Sequence, residues 1–232
     1  MLSIDLEAAK ISNKAGHPLL LIGRRDEKIY ELPLDFSNVL VSKVDVTDFD
    51  AFKSSGEKAE ELCGETDLII NNAGVMLLGN VENQLPEEWK QMLDTNILGV
   101  LHGMQIVLSQ MKKRKSGTII NVSSIAGRKT FGNHTAYSAT KFGVHRLSET
   151  IREEVSHFNV RVSVVSPGAA ETELLTHITD KKSISEYESW EETMGGKSLN
   201  PIYVAEVFKY IYDLPQEVLI REVALAATSQ GV

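Results

Sequence analysis

A serine, a tyrosine and a lysine stand out in "SSIAGRKTFGNHTAYSATK". Tyr137 and Lys141 are four residues apart on an expected helix, so they share one face. Ser124 lies thirteen residues before Tyr137, at the carboxyl end of an expected strand. A free phenol titrates near 10 and is a poor acid–base catalyst at neutral pH. An adjacent ammonium favours the phenolate, and Lys141 can supply it. The Ser124 hydroxyl can hold a substrate oxygen beside the phenol. Taken alone, a Tyr–Lys pair at this spacing is an ordinary surface helix.

The elements that must position these residues alternate between strand and helix periods. An amphipathic helix spans about Ile4 to Ala15 and a buried strand Leu19 to Ile22. A second strand runs from Asn38 to Val46, followed by a helix over about Phe49 to Leu62. "TDLIINNAG" is a third strand. Pro86 opens a long helix that runs through Met111. "GTIINVSS", a helix from about Thr135 to His157, "VRVSVVSPG", a helix opened by Pro201, and "EVLIREVALA" complete the order. Strands this apolar, separated by helices, imply a single α/β domain with a doubly wound parallel sheet, Rossmann-like, that binds ligands beyond its carboxyl ends.

Composition narrows the function. The 232 residues carry a net charge of −8, are 42% hydrophobic and 24% charged, and include one cysteine, Cys63. An acidic chain is a poor match for nucleic acid or an anionic membrane, and the basic run Lys112 to Lys115 reads as a helix end complementing its dipole. One cysteine allows no disulfide framework and no thiolate zinc site, which points to a reducing, cytoplasmic setting. No apolar run is long enough to span a membrane. The six histidines show no metal spacing; His134, just before Tyr137, is a candidate for the pocket wall.

The Ser–Tyr–Lys set is accompanied by "NNAG" (Asn71 to Gly74), "NILG" with Asn96, "NVSS" with Ser124 and "SPGAAETEL" with Pro167, Gly168 and Thr172. In this order and spacing the sequence resembles the short-chain dehydrogenase/reductase family, from about Ile4 to the C-terminus. The resemblance implies hydride transfer between a nicotinamide and a small alcohol or carbonyl compound. Tyr137 would be the general acid/base, Lys141 would lower its pKa and bind the nicotinamide ribose, and Ser124 would position the substrate. Asn96 would hold a water of a proton relay. Asn71, Ala73 and Gly74 would lie against the cofactor, Thr172 would bond it, and Asp45 with Val46 would contact the adenine. A helix cap and a strand-end turn are the plain readings of Thr172 and of "NNAG".

Arg24 and Arg25 follow the strand "LLLIG" where an NAD site would want an acid, and arginine suits the 2′-phosphate of NADP(H). Asp26 counts slightly against this. A substrate lid is expected over about 174–196, with Tyr187, Trp190 and Met194 either closing on substrate or packing the lid to the body. The lid looks most like that of the 3-hydroxy acid dehydrogenase and malonic semialdehyde reductase group, which suggests a small 3-hydroxy acid. Family members pair through the helices beginning near Pro86 and Thr135, which implies a homodimer or homotetramer.

The family pattern opens with a strand and a TGxxxGxG loop that have no counterpart here. Ser3 falls at the middle glycine and Asp5 at the last. Two inner strand edges, at Leu19–Ile22 and at "DLIINNAG", are therefore expected to lack a partner, and Asp5 to face an anion site. An incomplete chain, a truncated product, and a diverged, catalytically silent scaffold or dinucleotide sensor are the three accounts. The first is favoured, because every downstream catalytic residue remains.

Overall fold

The computed structural model describes residues 3–178, 180–193, 196 and 198–231, so Met194 and Gly195 of the expected lid lie outside the described residues. Helix α1 (Ile4–Lys14) starts where Ser3 turns its Oγ to accept the Leu6 N–H at 3.2 Å. That bond satisfies one of the donors a helix start leaves open. Strand β1 (Leu19–Gly23), a short helix α2 (Asp26–Tyr30) and strand β2 (Val39–Lys43) follow. Helix α3 (Phe49–Cys63) is capped by Asp48, whose carboxylate accepts the Ala51 N–H at 3.0 Å. Next come β3 (Leu68–Asn71), α4 (Pro86–Leu93), a π-helical turn at Asp94–Leu98, and α5 (Gly99–Arg114). The second half contains β4 (Gly117–Val122), α6 (Thr135–Val155), β5 (Val160–Pro167), α7 (Lys181–Thr193), α8 (Pro201–Asp213) and β6 (Glu222–Leu225).

The order of the elements matches the sequence reading, but helix α2 was not expected and the last strand is confined to Glu222–Leu225. The long helix expected from Pro86 is broken by the π turn. The second strand is shorter at both ends. The lid forms a helix, α7, that its polar composition did not announce.

Strands β3, β4, β5 and β6 form one parallel sheet in that order, and β1 pairs with β2 in a second parallel sheet. Both faces of the larger sheet are covered. Ile119 packs with Val100, Met104 and Val144 of α5 and α6, whereas its neighbour Ile120 packs with Ile4, Val204 and Phe208 of α1 and α8. Alternate side chains of one strand thus enter two cores, as a doubly wound sheet requires. Among the described residues, β1 has no ladder partner besides β2, and β3 none besides β4. The two expected open edges are present, and residues of both strands line the same cleft.

Candidate active site

The carboxyl ends of the strands open onto a cleft of about 1330 Å³. That volume takes in the gap between the open edges of β1 and β3 as well as the space beyond the strand ends. Ser124, Tyr137 and Lys141 stand in its wall, with Ala73 and Gly74 of the loop after β3, and Pro167, Gly168 and Thr172 of the loop after β5. At the other end it is walled by Arg24, Arg25, Asp45 and Val46. The structure therefore brings together the site residues read from the sequence, with one exception. Asn96 does not line the cleft.

Asn96 is fully buried in the π turn. Its Oδ1 accepts the Val75 N–H at 2.9 Å; its Nδ2 donates to the Val75 carbonyl at 2.9 Å and to Thr140 Oγ1 at 3.0 Å. The widened turn aims this amide at the chain following "NNAG" and ties it to α6. Both amide hydrogens are engaged by protein, so the side chain ties the cleft wall at Val75 to α6.

Ser124, two residues beyond β4, caps a short 3₁₀ turn, its Oγ accepting the Ala126 N–H at 3.1 Å. The same hydroxyl reaches the Tyr137 phenol. Burial pushes that phenol up to about 12, and the Ser124 hydrogen bond only partly opposes the rise. Lys141 Nζ donates to the Val122 carbonyl at 3.1 Å and lies 5.8 Å from the Tyr137 ring centroid. Burial pulls its ammonium down to about 8. With the Lys141 ammonium turned to the Val122 carbonyl, burial dominates at the phenol. In this arrangement Tyr137 is a protonated donor rather than a phenolate.

The glycines fit a close-lying ligand. A Cβ on Gly74 would come within 3.3 Å of Asn96 Oδ1, a tight approach, and 3.6 Å of Lys141 Nζ, so a side chain here would crowd the wall beside the lysine. A Cβ on Gly168 would meet Gln230 Oε1 at 2.2 Å. Asn71 plays a packing role as well as lining the cleft. Its Nδ2 donates to Asn121 Oδ1 at 2.8 Å, and Asn121 donates on to Ser148 Oγ at 2.8 Å.

At the far end, Asp26 does not line the cleft; its carboxylate lies 3.3 Å from Lys43 Nζ. The acid that counted against a 2′-phosphate is therefore turned to another partner. Asp45 folds its carboxylate back on the Thr47 N–H at 3.0 Å and Thr47 Oγ1 at 2.8 Å, an Asx turn that shapes the loop after β2. The Val46 carbonyl is 2.9 Å from His102 Nδ1. Thr172 both lines the cleft and caps the 3₁₀ turn Glu173–His177, accepting the Leu174 N–H at 3.4 Å. Asp5 enters the cleft from the first turn of α1 and accepts a 2.5 Å hydrogen bond from Asn72. Asp5 is exposed to the cleft, and the protein crowded around it pushes its carboxyl up to about 6.

Two further residues join the site. Gln230 lines the cleft beside Gly168 and its Oε1 accepts the Ala169 N–H at 3.0 Å, while its buried Nε2 has no protein partner. An orphaned donor in this wall matches a ligand with a carbonyl oxygen. His145 sits one turn beyond Lys141. Glu222 lies 3.3 Å from its Nδ1 and fixes the proton there, so Nε2 accepts from Ser166 Oγ at 3.2 Å. This chain of contacts ties α6 to the end of β5. Gln230 falls in no motif and reaches the wall from the segment after β6, whereas His145 shares the α6 face of Tyr137 and Lys141 at four-residue spacing.

With this geometry in view, the comparisons are specific. The short chain dehydrogenase family model matches residues 3–183. An uncharacterized oxidoreductase of Staphylococcus saprophyticus is 33% identical, over 99% of this chain and 93% of that relative. One of Listeria monocytogenes is 35% identical, over 98% and 93%. Among solved structures, the closed form of serine dehydrogenase complexed with NADP+ superposes with a TM-score of 0.91 at 26% identity, covering 100% of this chain and 93% of the other. Serine dehydrogenase from Escherichia coli gives a TM-score of 0.83 at 25% identity, covering 99% and 95%. The chain belongs to the short-chain dehydrogenase/reductase family and is an oxidoreductase.

Proposed function

We propose that the protein is an NADP(H)-dependent oxidoreductase that interconverts a small alcohol and its carbonyl compound, with Tyr137 as general acid/base. The observation that carries this is one cleft holding Ser124, Tyr137 and Lys141 at one end and Arg24 with Arg25 at the other. The residues present fit a dinucleotide. The bare Gly74 backbone leaves space beside Lys141, and the orphaned Gln230 Nε2 is a donor for the carboxamide oxygen of the nicotinamide. Arg24 and Arg25 would hold the 2′-phosphate, Val46 would face the adenine, and Pro167, Gly168 and Thr172 would flank the nicotinamide end. The neighbour that superposes best of those described above is itself complexed with NADP+. Bound here, the cofactor supplies or takes up the hydride.

The chain's own part is the proton. Ser124 and Tyr137 converge on one point and would both donate to a substrate carbonyl oxygen, holding it in place. A phenol near 12 keeps its proton at neutral pH and surrenders it to an alkoxide, which is the more basic partner. Reduction is therefore the direction for which the site is poised at neutral pH. Oxidation needs the phenolate and should speed up as the pH rises. Leu93, Leu98 and Phe142, exposed on α4, the π turn and α6, support pairing of two chains through these helices.

The test is turnover of a carbonyl panel with NADPH and with NADH. Tyr137→Phe should lower kcat by at least about 10²–10⁴-fold with an unchanged circular dichroism spectrum. Retained turnover in that variant refutes the assignment.

A further inference from the structure

Beside Tyr137 the cleft is walled by aromatic rings from two parts of the chain. Phe131 and His134 come from the loop before α6, Tyr187 and Trp190 from α7. Tyr187 and Trp190 meet at 5.2 Å between ring centroids, Phe131 and Trp190 at 6.0 Å, and His134 lies 6.1 Å from Tyr137 and 6.4 Å from Tyr187. These edge-on and tilted contacts make a continuous wall rather than a cage around a point. All four rings remain half-buried, so each keeps a face or edge for a ligand. The floor is apolar too, with Met76, Leu174 and Leu175.

The charges at this end are set against an anion. Glu186 lines the rim, and its carboxylate is already engaged by Asn133 Nδ2 at 2.5 Å and by Lys182 Nζ at 3.7 Å. Burial pulls the His134 imidazole below its ordinary range, and its Nδ1 donates to the Gly132 carbonyl at 2.6 Å, so it presents a neutral ring. Among the described residues, the cations lining the cleft are Arg24, Arg25, Lys28, Lys53 and Lys141. Of these, Lys141 alone stands at this end, and it is turned to the Val122 carbonyl. Lys129 lies 5.6 Å from the Phe131 ring centroid and does not line the cleft. Aromatic faces are themselves electronegative, so a carboxylate here would meet only ring edges, the Tyr187 hydroxyl and the Trp190 indole N–H, with no cation turned toward it among the described residues. Because Glu186 already has partners, it is no free counter-ion for an ammonium either.

We propose that the substrate of this cleft is an uncharged, flat aromatic ketone, aldehyde or alcohol, stacked on the Phe131–Trp190–Tyr187 wall with its oxygen at Tyr137. This deepens the oxidoreductase reading and rests on it. It departs from the small hydroxy acid suggested by resemblance and from the serine named for the neighbouring structures. The reaction balances: the carbonyl carbon gains a hydride from NADPH, and its oxygen gains the Tyr137 proton.

Binding separates this proposal from the catalytic reading. The intact protein is titrated by calorimetry, with and without NADP+, against three acetophenones carrying a 4-methyl, a 4-carboxylate or a 4-trimethylammonium group. The neutral ring should bind at least about tenfold more tightly than the carboxylate, and more tightly than the trimethylammonium ring, whose attraction to the ring faces is offset by the cost of desolvating its charge. Trp190→Ala should weaken the neutral ring by about three- to tenfold. Tyr137→Phe should keep most of that affinity while losing turnover. Equal or tighter binding of the carboxylate or the trimethylammonium ring overturns the proposal, as does failure of all three rings to bind. Binding of the neutral ring with undiminished turnover in Tyr137→Phe would instead refute the catalytic reading and leave this one standing.

Discussion

At the residue scale, the site sets function against stability. Lys141 is 5% exposed, and its ammonium is pulled down to about 8 from 10.5 by burial. Between those two values the unfolded chain binds more protons than the folded one, so stability rises with pH across that window. At pH 7 the folded protein bears the cost of a buried charge. Lys141→Met should therefore be more stable by roughly 1–3 kcal/mol at pH 7, an advantage lost above about pH 10.5, while catalysis disappears. Urea melts at pH 7 and 10.5 measure it; a variant less stable at pH 7 would show that the Val122 contact outweighs desolvation.

Asp5 gives a second residue-scale expectation. Its carboxyl titrates near 6, so it is anionic above that pH and neutral below. An anionic dinucleotide in the cleft is opposed only by the charged form. NADPH affinity should rise as the pH falls from 7.5 to 5.5, and Asp5→Asn should bind about fivefold more tightly at pH 7.5, from roughly 1 kcal/mol of relieved repulsion. Fluorescence titration of NADPH reads both, and a pH-independent affinity in the native chain would exclude this role.

At the element scale, the polar seam through the core depends on close helix approach. A Cβ on Gly103 of α5 would fall 2.0 Å from Asn71 Oδ1, and the Asn71–Asn121–Ser148 chain leaves that amide nowhere to go. Gly103→Ala should cost about 1–3 kcal/mol by overpacking, and more if the seam opens. Its melting midpoint in denaturant checks this, and an unchanged midpoint would mean that α5 can shift away. The π turn belongs to the same scale. The sequence pattern carried one helix through Asn96, because apolar spacing continues across it. The extra residue in the turn follows from three hydrogen bonds to partners at Val75 and Thr140, distant in sequence.

At the scale of the whole molecule, the two sheets are unequal. Strands β4 and β5 are buried along their full length, whereas β1 is half-buried throughout and has one ladder partner. A two-stranded ladder contributes little stability by itself. Amides of β1 and β2 should exchange with solvent at least about tenfold faster than those of β4 and β5, because local opening there exposes less apolar surface. Hydrogen-exchange mass spectrometry resolves the strands, and equal protection would show that the small sheet is held as firmly as the large one. Any ligand that fills the cleft contacts both sheets and should slow exchange at β1 and β3 together.

The amino-acid sequence determined the alternation of strands and helices, the two-sided burial of the strands, and the Ser124–Tyr137–Lys141 set. These are written in local periodicity and in a spacing that a helix turns into geometry. It also foretold the open edges beside β1 and β3, because strand order follows from the family pattern. The tertiary structure decided what local pattern cannot carry. Burial, which depends on every neighbour, raised the Tyr137 phenol and lowered Lys141. Long-range contacts consumed the Asn96 amide, turned Asp26 to Lys43, brought Gln230 to the cleft wall and set Glu222 and Ser166 against His145. The ring wall beside Tyr137 likewise exists only once α7 folds over the loop before α6, so its chemistry belongs to the assembled cleft.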